Sequence, residues 1–125
     1  MNPIRSARRS SSVLLLALAA GGALGALGGC KANEGSPTGS TCPPASTLTY
    51  ANFGQAFMDQ NCNSCHAGKE KPSLTTQAQI KANLADIDKT SAAGPNATNT
   101  VMPEDSSVSD ADRQKLGEWI ACGAP

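Results

Sequence analysis

The chain has 125 residues, with ten Lys or Arg against ten Asp or Glu, one His and only two Phe, one Tyr and one Trp. That length holds one small domain. A balanced charge lacks the concentrated basic footprint of nucleic-acid binders, so no nucleic-acid partner is expected.

Arg5, Arg8 and Arg9 form a basic start, and an apolar run rich in Leu, Ala and Gly follows from Val13 through Leu27. A basic start, an apolar core and small residues before a cleavage point read as a secretory signal, and the run is short for a membrane span. Its end, Leu27-Gly28-Gly29-Cys30, resembles a bacterial lipobox, in which the cysteine is diacylated through sulfur and becomes the first mature residue. Residues 1–29 are then a lipoprotein signal peptide and Cys30 the lipidation site. The alternative is an ordinary signal cut further on, leaving a soluble periplasmic protein. Removing residues 1–29 leaves seven Lys or Arg against ten Asp or Glu, a balance of −3. The expected location is the periplasmic face of a bacterial membrane. Lys31, standing where inner-membrane retention commonly has Asp, leans toward the outer membrane.

Residues 30–47 carry Ser, Thr, Gly, Pro and Asn without apolar periodicity, and read as a flexible tether that orders only near Cys42. The folded domain is expected over residues 48–125. Asn52 can cap a first helix running to about Asp59, with Phe53, Ala56 and Phe57 on one side and Gly54 admitting a close neighbour.

That helix leads into Cys62-Asn63-Ser64-Cys65-His66. Two cysteines separated by two residues can form thioethers with the two vinyl groups of a haem, and the next histidine can reach its iron. Three other readings compete. A redox disulfide pair usually follows a βαβ pattern, which is missing here. Structural zinc wants four ligands, and the remaining cysteines are Cys30, Cys42 and Cys122 with no second histidine. Inert cysteines are the third. One covalently attached haem c, with its iron, is the expected cofactor.

After a loop, Ser73 or Thr75 can cap a second helix whose broken apolar stripe, Leu74, Ala78, Ile80, Leu84 and Ile87, runs through Asp88. An extended loop follows to Val101-Met102-Pro103. Its thioether can approach iron from the face opposite the imidazole, with the proline fixing the backbone. A single histidine excludes an intramolecular bis-histidine haem. Met58, four residues before Cys62, reads as core. A last helix starts at Ser109, with Asp112 three residues on and Val108 as a hydrophobic staple. It presents Leu116, Trp119 and Ile120 and ends at Gly123. Cys42 and Cys122 are left over, and in an exported chain they can pair as a disulfide.

This ordered set resembles a class I c-type cytochrome domain, of the kind found in small monohaem bacterial lipoproteins, over roughly Thr49 to Pro125. The resemblance implies an all-α, cytochrome c-like fold of three to four helices wrapped around the haem. It implies Cys62 and Cys65 as attachments, His66 as proximal ligand and Met102 as distal ligand. It also implies contact between the first and last helices through Gly54, Phe57 and Trp119. Family members commonly place an aromatic four residues before the first haem cysteine. Here Met58 stands there and Phe57 one earlier, so a one-residue irregularity near Gln60 and Asn61 is expected.

With both axial positions filled the protein would be an electron carrier rather than an enzyme. It would exchange single electrons with periplasmic or membrane-associated redox proteins and have no dedicated small-molecule substrate. The alternatives are a peroxidase or gas sensor with an open distal site, and a non-haem structural lipoprotein.

Overall fold

The computed structural model describes residues 35–125, so the signal segment and Cys30 lie outside the described residues. Among the described residues the only β pairing is a single bridge between Ala93 and Thr98, and the rest of the regular structure is helical.

The first helix is set by a capping box. The Thr49 hydroxyl accepts from the Asn52 amide at 3.2 Å, and the Asn52 side chain accepts from the Thr49 amide at 2.7 Å. Its opening turn, Tyr50–Gly54, is π-helical: the Gly54 amide reaches Thr49 O and the Gln55 amide reaches Tyr50 O. Regular helix α1 follows over Gln55–Asn61. A π turn holds one extra residue, so the irregularity expected near Gln60 and Asn61 sits at Tyr50–Gly54, at least six residues earlier. It turns Phe53 onto the last helix. The Phe53 ring meets Trp119 edge-on at 6.0 Å and stacks at a tilt on Phe57 at 5.4 Å. Met58 is left in the core at 1% exposure.

Cys62, at φ −121°, interrupts the helix, and the rest of the cysteine motif forms α2, Asn63–His66. The single middle helix expected through Asp88 is instead two, α3 (Gln77–Lys81) and α4 (Leu84–Ser91). The break falls at Asn83, whose side-chain amide donates to Gln79 O at 2.7 Å and competes with the backbone ladder. The cap of α3 is Thr76, boxed with Gln79, rather than Ser73 or Thr75. Helix α5, Asp110–Ala121, begins at Ser109, whose hydroxyl accepts from the Asp112 amide at 3.1 Å. The same hydroxyl donates to the Asp112 carboxylate and holds it below its usual pKa. Gly123, at φ 81°, turns the chain out of the helix.

One core joins these pieces: Phe57, Met58, Leu74, Ile80, Ile87, Leu116 and Trp119 are all buried together. Helix α5 crosses it and packs on α4. Gly54 lies directly under the Trp119 indole, and a Cβ there would overlap Cζ2. The chain end folds back over the first helix, with Tyr50 donating to Pro125 O and Gln77 to Ala124 O. A disulfide joins Cys42 to Cys122 across 80 residues of sequence.

The segment assigned to a tether up to residue 47 is not free along its described length. Thr38 is 1% exposed, with its amide and hydroxyl both bound to the Asp88 carboxylate at 2.9 and 2.6 Å. Ser36 exchanges hydrogen bonds with the Asn99 side chain at 3.1 and 2.7 Å. Polar composition hid this. The segment is held by hydrogen bonds to buried partners, which apolar periodicity does not register.

Candidate functional site

Cys62 forms the joint between α1 and α2. Its amide donates to Met58 O at 2.9 Å, and its carbonyl accepts from Cys65 at 3.2 Å and His66 at 2.9 Å. One helical turn therefore carries the whole motif, and the i, i+3 spacing places both thiols on the same face. Both are free cysteines, Cys62 half-buried and Cys65 exposed. Burial pushes the Cys62 thiol up to about 11, so it stays protonated at neutral pH.

Loop residues 67–74 fold back on the motif. Glu70 N–H bonds to Cys65 O at 3.0 Å and Leu74 N–H to His66 O at 3.1 Å. Pro72 O lies 2.7 Å from His66 Nδ1. A carbonyl can only accept, so Nδ1 donates, and that tautomer leaves Nε2 with its lone pair free for a metal.

Met102 comes from the loop between α4 and α5. Its amide donates to Thr90 O at 2.8 Å and its carbonyl accepts from Arg113 Nη1 at 2.8 Å. Cys62, Cys65, His66 and Met102 all line one cavity of about 600 Å³, with Gln60 and Asn61 from α1 and Pro103 beside Met102. That volume lies within the ~300–1,000 Å³ usual for cofactor sites. The mouth carries both signs, Lys71 and Glu70 on the histidine side and Glu104 and Asp105 on the methionine side. Among the described residues no group of three or more His, Cys, Asp or Glu side chains converges as a site for a bare ion. The four sulfur and nitrogen groups share that lining, which offers a larger group two thiols, an imidazole and a thioether.

Sequence reasoning missed two contributors. Pro72 orients the imidazole through its carbonyl and has no signature. Arg113 is 3% exposed and donates to Ser91 O and Asn99 O at 2.7 Å as well as to Met102 O. Burial pulls its pKa below the usual value while Asp110 pulls it back, and a guanidinium remains a cation throughout. Its signal was positional: it lies three residues before Leu116, on the buried stripe of α5. Cys42 and Cys122 lie at the other end of α5, away from this cavity.

A small helical domain that collects two thiols, an imidazole and a thioether in one cavity belongs to the broad class of cytochrome-related helical proteins. Residues 51–120 match the family described as cytochrome C oxidase, cbb3-type, subunit III, and the chain belongs to that family. No curated protein and no solved structure matches it. Among the described residues no helix is long and apolar enough to cross a membrane.

Proposed function

We propose that this protein is a monohaem c-type cytochrome that carries single electrons between redox proteins. The observation that carries the reading is that Cys62, Cys65, His66 and Met102 share one cavity while Pro72 O holds the His66 tautomer that frees Nε2. Cys62 and Cys65 would each hold the group by adding S–H across a vinyl, the sulfur bonding one carbon and the hydrogen the other. His66 would bind from one face and Met102 from the other. The bound haem would supply one-electron exchange between Fe(III) and Fe(II). With both faces occupied by protein groups, the role is electron transfer rather than catalysis, and the partners are proteins.

The second reading is a non-haem structural subunit of a redox assembly. The family's description as an oxidase subunit and the lack of convergent metal donors among the described residues favour it. Intact mass of the purified mature protein separates the two. The cytochrome reading expects the polypeptide plus one haem, resistant to denaturant and absent from the Cys62→Ala, Cys65→Ala double variant. A bare polypeptide mass leaves the structural role. Prompt carbon monoxide binding by the reduced protein at neutral pH would instead assign an open distal face, suited to peroxide reduction or gas sensing.

The same proposal places Cys30 under lipid at the periplasmic face. Only four residues separate it from Gly35, and the five steps between them reach at most roughly 18 Å. The domain would be held against the membrane rather than away from it.

A further inference from the structure

Arg113 is a buried cation that makes no ion pair among the described residues. It spends one nitrogen, Nη1, on three main-chain carbonyls: Ser91 and Asn99 at 2.7 Å and Met102 at 2.8 Å. Nη1 has two hydrogens, so one is shared between acceptors. Ser91 O is one of the last carbonyls of α4, which a helix leaves without an internal partner. Asn99 is itself fixed, its amide on Ala92 O at 2.9 Å and its side-chain amide on Asp88 O at 2.8 Å. The guanidinium thus ties the end of one rigid helix to the start of another, and the Met102 carbonyl is the third thing it holds. With the Met102 amide on Thr90 O, both polar main-chain groups of that residue are fixed.

From this geometry we infer that Arg113 is the positioning residue for the Met102 thioether: it holds the Met102 main chain so that the side chain stays in the lining of the cavity it shares with His66. The inference rests on the cytochrome reading for its consequence at iron, but the positioning itself belongs to the polypeptide. A lysine in its place has three donors of its own, but its stem is one atom shorter, so its ammonium falls short of the point from which Nη1 reaches all three carbonyls. An electrostatic role alone would survive that change, whereas a geometric one would not.

The test compares wild type with Arg113→Lys and Arg113→Met in the full mature protein, as purified, by two readouts. Amide hydrogen exchange is followed at Met102 and, as a reference, at Trp119 in the core of α5. The sulfur-to-iron charge-transfer band of the oxidised protein and carbon monoxide uptake by the reduced one report the axial position. We expect Met102 exchange to rise about tenfold in Arg113→Lys, as for one lost hydrogen bond, with Trp119 unchanged. The sulfur band should fall and carbon monoxide should bind. Unchanged Met102 exchange with the sulfur band intact overturns the inference. So does an equal rise at Met102 and Trp119 in both variants, which would make Arg113 a general fold residue. If the protein holds no haem, the cytochrome reading fails by itself, and the exchange readout still decides whether Arg113 positions Met102.

Discussion

Cys62 and Cys65 lie one helical turn apart, yet their surroundings differ: Cys62 is half-buried beside the core and Cys65 is exposed. Burial alone raises the Cys62 thiol from its ordinary 9.0 to about 11. In polypeptide that has not been loaded with haem, the unfolded chain therefore loses this proton before the folded one does. Stability is fully present below pH 9 and falls as pH rises toward 11, by on the order of 2–3 kcal/mol at most. Denaturant unfolding at pH 8 and pH 11 should show this loss in haem-free wild type and not in Cys62→Ser. A sulfur tied up as a thioether cannot titrate, so the haem-loaded protein should lack it too. At this scale the motif was open to direct reading, because Cys62, Cys65 and His66 are adjacent in sequence and one turn of helix brings them together. Arg113 was not, because its value comes from carbonyls 11 to 22 residues away.

Between elements, the contact that orients the first helix against the last is Gly54 under Trp119. Alanine is the better helix former by about 1 kcal/mol, so propensity alone would make Gly54→Ala stabilising. The buried indole has no room to yield, and overpacking of this kind costs ~1–3 kcal/mol. The net expectation is a lower melting temperature, with reduced coupling of the Trp119 near-ultraviolet signal. A second check concerns α3. Thr76→Ala removes the cap hydroxyl that accepts from Gln79 N, and should cost about 1 kcal/mol by denaturant titration. Neither capping box was the cap expected from sequence: Thr49 caps where Asn52 was expected to, and Thr76 where Ser73 or Thr75 was. The contact between Gly54 and Trp119 was legible from residue type, but the aromatic beside it was not: the π turn at Tyr50–Gly54 exchanged Phe57 for Phe53.

For the molecule as a whole, a small core is reinforced by two long-range ties, the Cys42–Cys122 disulfide and the Thr38–Asp88 hydrogen bonds. Removing the first in Cys42→Ser, Cys122→Ser should lower stability by ~2–4 kcal/mol, enough to lower the melting temperature by about 8 °C or more, at roughly 4–8 °C per kcal/mol. Thr38→Ala takes a hydrogen bond from the half-buried Asp88 carboxylate and from the Ser40 amide, and should free the segment around residue 38 to proteolysis while the cavity at Cys62 and His66 keeps its structure. On the proposed lipid anchor, Cys30→Ser should move the protein from the membrane to the soluble fraction without changing its fold.

What the sequence determined by itself was local. The haem-type motif, the helix cap at Ser109, the glycine that ends α5 and the all-α class depend on side chains within about one turn of each other, where spacing translates directly into geometry. The tertiary structure decided what depends on distant partners meeting. It broke the middle helix at Asn83, pinned the supposed tether through Thr38, and brought Met102 into the same cavity as His66, with Arg113 on its carbonyl. Hydrogen bonds to main-chain carbonyls leave no mark in residue type, because every residue carries the acceptor.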